Sequence, residues 1–166
     1  MKAYSWLLAL ALPFALTSAT PNAATGPLCR EGETNLLSFT TKNGKSVSLC
    51  VGAANKYLVY RYGTPAQTEL QYPPALDASS WDKFAVTDYQ KPSMDKANSA
   101  QDLHRLVFKN GNVTYTVYDD TSDASGHVCG VGVTVPGKKE VFMQGNLKSV
   151  TGQLADLRTI HHPVKF

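Results

Sequence analysis

The residues best suited to covalent chemistry are Cys129 and His127, which stand two apart in this 166-residue sequence. A cysteine nucleophile acts as the thiolate and needs a base close by. Residues two apart on an extended strand point to the same face, so His127 could serve Cys129 as that base. The alternative is that Cys129 is a small buried residue of a sheet, as free cysteines often are.

The residues around this pair do not complete a known cysteine centre. Exported cysteine transpeptidases of the cell wall have an arginine directly after the cysteine. In this chain the order is Ser-Gly-His-Val-Cys-Gly, so Gly130 stands where that arginine would be. The match to those enzymes therefore fails.

Possible metal ligands occur in two other places. Asp119, Asp120 and Asp123 fall in a segment predicted to be a loop, and His161 and His162 are adjacent near the end of the chain. Calcium requires six to eight oxygens in a defined order, and the distal glutamate of a calcium loop is missing. Adjacent histidines on an extended tail point in opposite directions. We therefore expect no metal site and no cofactor.

Other enzyme classes leave no motif in this sequence. There is no phosphate-binding loop, nucleophile elbow or zinc-binding helix motif, and nothing singles out the pair of carboxylates that a glycosidase would use.

The charge of the chain is nearly balanced. Without Lys2, which a signal peptide would remove, there are 15 basic and 13 acidic side chains. This balance argues against nucleic acid as a partner.

Short strands joined by tight turns must position these residues, and the first hairpin shows the pattern. A three-residue turn ending at Gly44, with that glycine in the left-handed conformation, pairs Phe39 with Val47. Two residues further from the turn, the same register pairs Leu37 with Leu49. One face is then apolar and the other carries serine and threonine, so the burial pattern selects this register.

In the second hairpin, a loop over residues 63–67 pairs Tyr60 with Leu70. On the other face it pairs Arg61 with Glu69. Arg61 is then either half of an ion pair on the sheet surface or a ligand-binding arginine. A third hairpin takes a two-residue Asn-Gly turn at residues 110–111.

The turn of the third hairpin pairs Phe108 with Val113. The rest of the chain is also predicted to form strands and loops. Further strands are expected at residues 83–89, 131–135 and 141–144. The tail over residues 150–157 is too short to classify, and a last strand is one interpretation of it. Residues 90–102 predict a long polar loop with a short helical turn near residues 94–102, and long loops on a rigid sheet often carry function.

Eight or nine short strands without a helical period predict an all-β fold. Consecutive hairpins favour an antiparallel meander, closed as a barrel or folded over as a sandwich. The sequence does not choose between these two forms.

Several strand motifs resemble those of a group of small secreted bacterial proteins to which no function is attached. The motifs are SFTTKNGKSVSLC, YLVYRYGTP and ELQYP, followed later by FKNGNVTYTVY and GVGVTV. The resemblance covers most of the chain after the leader. It implies the all-β fold and export, and it brings no catalytic residues.

Residues 1–24 read as a secretory signal peptide. Lys2 supplies the basic start, residues 6–16 the apolar run, and cleavage after Ala19 or Ala24 fits the small residues that follow. The apolar run is too short to span a bilayer. We expect residues 25–166 to form a single all-β domain in the periplasm or outside the cell.

Three cysteines in an exported chain predict one disulfide and one thiol. Cys29 and Cys50 flank the first hairpin, and the residues between Cys29 and the first strand can bring it back to the second. A loop of this size stabilises by roughly 3 kcal/mol on the chain-entropy model. Cys129 is then the free thiol.

Two hypotheses of function follow. The first is a non-enzymatic binding protein of the cell envelope, for instance a blocker of a cell-wall-acting enzyme, with Trp81 and Arg61 as binding residues on its working face. Trp81 has the alternative role of capping the core. The second is a small envelope enzyme with dispersed catalytic residues around His127 and Cys129. The absence of catalytic motifs favours the first, with another envelope or extracellular protein as partner.

Overall fold

The computed structural model describes residues 26–93 and 99–160. The predicted signal peptide, residues 94–98 of the predicted helical turn, and the histidines at 161 and 162 lie outside the described residues. Within them the chain forms short 3₁₀ helices and ten strands, whose bounds are β1 Thr34–Thr40, β2 Ser46–Val51, β3 Leu58–Thr64, β4 Gln67–Tyr72, β5 Phe84–Lys91, β6 Gln101–Asn110, β7 Val113–Ser122, β8 Gly126–Thr134, β9 Val141–Gln144 and β10 Thr151–Gly152.

The strands form two five-stranded sheets, and every neighbouring pair is antiparallel. The first sheet has the order β10-β1-β2-β3-β4, and the second has the order β5-β6-β7-β8-β9. The sheets are not closed into a barrel and pack face to face. The predicted all-β fold is confirmed, and of its two forms the structure has the sandwich arrangement.

The core lies between the two inner faces, where strand alternation directs the apolar side chains. The ring of Phe108 on β6 stacks on Tyr72 of β4 at 4.6 Å between centroids and lies 4.9 Å from Tyr60 of β3. On the other side it stacks on Tyr115 of β7 at 4.9 Å. Phe108 therefore joins the two sheets through aromatic contacts.

The first hairpin has the predicted register. Leu37 lies opposite Leu49 and Phe39 opposite Val47. Gly44 has a φ of 77°, the left-handed conformation that the turn requires.

The second hairpin differs from the prediction by two residues. Tyr60 lies opposite Tyr72, and Arg61 opposite Gln71, so the pairing of Arg61 with Glu69 is wrong. β3 and β4 continue to a two-residue turn at residues 65–66, and a register shift beside Gly63 accommodates this short turn. A displacement of two residues keeps every side chain on its face, which is why the apolar pattern did not reveal the error.

The third hairpin shows the same displacement. Its turn is at residues 111–112, and Phe108 pairs with Tyr115 instead of Val113. β7 also continues to Ser122, so Asp119 and Asp120, which were predicted to lie in a loop, are part of a strand. The predicted loop at 90–102 is shorter as well, because β5 ends at Lys91 and β6 begins at Gln101.

The tail after residue 150 is also more structured than expected. It forms the two-residue strand β10 and then a 3₁₀ helix, Leu154–Thr159. β10 pairs with β1, which places the tail at the edge of the first sheet.

The segment before β1 covers the polar outer face of the first sheet. The backbone N–H of Leu28 donates to Ser48 Oγ at 2.8 Å, and a disulfide joins Cys29 to Cys50. The predicted disulfide is confirmed, and Cys129 is a free, buried cysteine. The face of the first hairpin that carries serine and threonine is therefore largely buried.

Arg61 lies beneath this segment with no exposed surface. Its guanidinium donates to both carboxylate oxygens of Glu33, at 2.5 and 2.7 Å, and to the carbonyl oxygen of Leu28 at 3.2 Å. Glu69 instead pairs with Lys45 at 2.7 Å on the surface. Arg61 thus fixes the N-terminal segment and is neither a surface ion pair nor accessible to a ligand.

The Glu33 carboxylate has a lowered pKa. Burial by itself would raise the pKa, but hydrogen bonds from Arg61, the backbone of Arg30 and the hydroxyl of Tyr57 outweigh it. The charged form of Glu33 is therefore the one that the fold stabilises.

We expect Glu33→Gln to destabilise the protein by about 3–5 kcal/mol at pH 7, because it leaves the buried Arg61 charge without its partner. A group with a depressed folded-state pKa stabilises above its unfolded pKa of about 4.3 and loses that contribution as the pH falls through the folded value. The gap between the variant and the wild type should therefore shrink below about pH 4.

Urea unfolding at pH 7 and pH 3 measures both effects. Glu69→Gln is the matched control, because it breaks the exposed pair with Lys45 and should cost no more than about 1 kcal/mol. Equal losses in the two variants at pH 7 would contradict the role given to the Arg61 ion pair.

Candidate functional site

The two residues predicted to bind a partner are both buried. Trp81 lies on the 3₁₀ helix Ala78–Lys83 and is 1% exposed, and its indole N–H donates to the carbonyl oxygen of Asn55 at 3.0 Å. Of its two expected roles, the structure shows packing into the core, and exposure as a binding anchor is wrong. With Arg61 also buried, neither side chain reaches the surface.

A polar cluster lies instead on the inner face of the second sheet. Along each strand the inward positions change from apolar to polar, as from Leu106 to His104 on β6 and from Val117 to Asp119 on β7. The strand register aligns these positions in two neighbouring rows that cross the sheet. We call them the polar rows: Asp88, His104, Asp119 and Cys129 in the first, and Gln90, Asp102, Thr121 and His127 in the second.

The C-terminal segment covers the polar rows. The backbone N–H of Leu154 donates to Asp119 Oδ2 at 2.8 Å, and the guanidinium of Arg158 pairs with the Asp88 carboxylate. Between this segment and the sheet lies a cleft of about 170 Å³, bordered by residues of both rows and by Gly152 and Gln153. The cleft is small and polar.

One part of the cluster joins Asp119, His127 and Cys129. His127 Nε2 lies 2.7 Å from Asp119 Oδ1, and a ligand atom from each of the three residues lies within 4.8 Å of the others. Burial, with the nearby charge of Asp119, raises the pKa of the Cys129 thiol to about 12. The thiol is therefore protonated at neutral pH, so it is a poor nucleophile.

The other part joins Asp88, His104 and Asp102. His104 Nδ1 lies 3.0 Å from Asp88 Oδ1, and its Nε2 lies 2.9 Å from Asp102 Oδ1. Burial by itself would raise the pKa of Asp102, but a hydrogen bond from Gln90, the nearby imidazole of His104 and the charge of Arg158 outweigh it, so the pKa is lowered. These three residues could hold a cation.

Sequence reasoning selected His127 and Cys129 but missed His104, Asp88 and Asp102. The signal that could have found them is strand alternation, because His104 continues the inward series of Phe108 and Leu106 on β6. A histidine in an apolar series predicts a buried imidazole that needs a partner.

The three aspartates expected to share a loop do not come together as a site. Asp119 points inward on β7, whereas its neighbour Asp120 points outward and pairs with Arg105 at 2.7 Å. Asp123 follows the strand and accepts a hydrogen bond from the backbone of Ala100. Alternation along β7 separates them.

A second feature of interest is an apolar surface at β9, one edge of the second sheet. Val141 on this strand is 65% exposed and Phe142 is 42% exposed. A groove of about 310 Å³ lies between β9 and the turn that follows β1, with Lys42 and Phe142 among its lining residues. We call β9 with the flanking residues 135–148 the β9 surface.

We expect Cys129 to resist alkylation in the folded protein. It is 1% exposed, and with a pKa of about 12 only about one thiol in ten thousand is ionised at pH 8. Iodoacetamide labelling without reductant, followed by peptide mass mapping, should modify Cys129 in urea alone and leave Cys29 and Cys50 unmodified in both conditions. Rapid labelling of Cys129 in the native protein would show that the thiol is accessible and reactive.

None of the helices in the described part of the chain is long and apolar enough to cross a membrane. The resemblance of the strand motifs to small secreted bacterial proteins stays a prediction. No protein-family model, curated protein or solved structure matches this chain.

Proposed function

We propose that this chain is an exported, non-enzymatic binding protein of the bacterial envelope, and that its partner is another protein that docks on the β9 surface. A disulfide between Cys29 and Cys50 suits the oxidising conditions of the periplasm or the cell exterior. Blocking a cell-wall-acting enzyme is one role that such a protein could fill.

The observation that carries the proposal is where the exposed apolar side chains lie. Five large hydrophobic residues are exposed among those described, and four of them fall within 13 residues: Val135, Val141, Phe142 and Leu147. Tyr89, on the opposite edge of the same sheet, is the fifth. Because successive strand residues point to opposite faces, Val141 and Phe142 lie one on each face of β9 and flank its outer edge, whereas Tyr89 is a single exposed residue that needs no explanation.

The form of the β9 surface favours an extended peptide segment as its occupant. β9 pairs with β8 on one side and ends its sheet on the other, so its outer edge can accept another strand. The groove beside Phe142 runs between this edge and the turn after β1. In such an arrangement backbone hydrogen bonds supply affinity, while the apolar side chains give specificity.

The charges around the β9 surface favour an acidic partner. Lys138, Lys139 and Lys148 lie within or beside the apolar segment, against a single acid, Glu140. Lys42 lines the groove from the other side. Complementary charge speeds association and helps to exclude wrong partners, so we infer that the docking segment carries Asp or Glu beside its apolar residues.

A second candidate function is hydrolysis with His127 as a general base. The observation in its favour is the 2.7 Å contact between His127 Nε2 and Asp119, the arrangement in which a carboxylate orients a catalytic imidazole. Against it, the protonated Cys129 beside them is not a ready nucleophile. Turnover of cell-wall or ester substrates that is lost in His127→Ala would favour this function over binding.

We expect Val141→Glu to weaken partner capture at least tenfold and to leave folding intact. Val141 is 65% exposed, so the substitution removes little core packing, while the new charge repels an acidic segment. The measurement is quantitative capture from envelope extract by immobilised protein, with competition by soluble wild type.

Tyr89→Glu is the matched control, because it places the same charge on an exposed hydrophobic position of the opposite edge strand. Capture that survives Tyr89→Glu and falls in Val141→Glu supports docking at β9. Equal capture by both variants contradicts it. Sedimentation of the purified protein tests whether a second copy of this chain occupies the β9 surface. Self-association that Val141→Glu abolishes would show that the partner is a second copy and not another protein.

A further inference from the structure

The polar rows contain two groups of residues, one around His127 and one around His104, and the two groups differ in whether their polar atoms have hydrogen-bond partners. Asp119 has a hydrogen-bond partner at each oxygen, His127 at Oδ1 and the N–H of Leu154 at Oδ2. In the other group, His104 Nε2 and Asp102 Oδ1 are buried and have no hydrogen-bond partner among the described residues. A buried polar atom that is left unsatisfied destabilises the fold.

The surroundings of His104 determine which nitrogen is available. Nδ1 lies 3.0 Å from Asp88 Oδ1, and the guanidinium of Arg158 donates to both oxygens of the same carboxylate. Asp102 lies beside the other nitrogen, but Nε2 makes no hydrogen bond with it, so the proton stays on Nδ1 beside Asp88 and leaves a lone pair on Nε2. Nε2 is therefore the atom free to act as a ligand.

This lone pair faces another electron-rich atom. Nε2 and Asp102 Oδ1 lie 2.9 Å apart but are not aligned for a hydrogen bond. Two acceptors held this close repel each other unless a positive charge reaches both. The two atoms themselves are buried, and the cleft beside them is open to solvent.

We propose that a divalent transition-metal ion of the Zn²⁺ class binds here, ligated by His104 Nε2 and Asp102 Oδ1, with its remaining positions open to the cleft. Asp88 and Arg158 orient the imidazole from behind, as outer partners do in histidine metal sites. Imidazole with carboxylate suits zinc and its neighbours, whereas calcium and magnesium prefer oxygen alone.

The backbone makes the arrangement rigid. Asp88 and His104 are paired residues of the neighbouring strands β5 and β6, and Asp102 precedes His104 by two residues on the same face. A ligand atom from each of the three lies within 4.8 Å of the others. The cleft of about 170 Å³ has room for solvent ligands beside the ion. The site is independent of the β9 surface, so either proposal can fail alone.

The test is titration of the untagged protein, after dialysis against a chelator, with Zn²⁺ by calorimetry and with Co²⁺ by visible absorption. We expect one ion per chain, a rise in the thermal midpoint with Zn²⁺, and a change in the ¹⁵N shift of His104 Nε2. Asp102→Asn should weaken binding at least about tenfold. The titration is repeated in a His161→Ala/His162→Ala background, because those two imidazoles are zinc ligands by type.

Asp82→Asn is the matched control, since it makes the same change of charge at an exposed aspartate elsewhere and should bind Zn²⁺ as the wild type does. The Asp102 side chain is 46% exposed, so Asp102→Asn should fold even where His104→Gln does not. No binding by the wild type, equal binding by Asp102→Asn, or binding that disappears with the tail histidines would each overturn the site. The contacts of His104 with Asp88 and Asp102 would then have a structural role only.

Discussion

The inner face of the second sheet extends beyond the apolar surface that the two sheets share, and the rest of the structure depends on how that face is covered. β6 and β7 are ten residues long, whereas β1 to β4 have six or seven. Where Leu106 and Val117 give way to polar side chains, the cover comes from the C-terminal segment. Arg158 and the N–H of Leu154 supply the positive groups that allow aspartates to lie there. The tail is therefore as much a part of the fold as the hairpins.

Two buried polar groups of this sandwich have opposite consequences. The Arg61 guanidinium meets both oxygens of Glu33 and a backbone carbonyl, so it holds the N-terminal segment on the first sheet and has nothing left to offer a ligand. His104 is nearly as buried, yet one of its nitrogens and one oxygen of Asp102 have no hydrogen-bond partner within residues 26–93 and 99–160. Because buried polar atoms are generally paired, this exception points to a ligand where the saturated pair does not.

The sequence predicted the elements well and the long-range placements poorly, for a physical reason. Strand alternation determines which face a residue occupies, and it fixes register only to within two residues. Turn geometry settled the first hairpin at Gly44, but the second and third were each displaced by two. The Cys29–Cys50 disulfide was predictable because it closes a local hairpin. The partners of Arg61 and Asp119 were not, since Glu33 and Leu154 lie 28 and 35 residues away along the chain.

The burial of Trp81 follows from the size of the chain. A sandwich of this length has few large side chains with which to fill its core, and an indole placed there contributes more than it would at the surface. The carbonyl of Asn55 accepts its N–H, so burial leaves no polar group unpaired. Because Trp81 and the aromatic rings around Phe108 are buried in the core, few aromatic side chains are left at the surface of the described residues. Under the binding function proposed above, recognition would draw on backbone hydrogen bonds, and an edge strand with exposed Val141 and Phe142 offers these together with apolar contact.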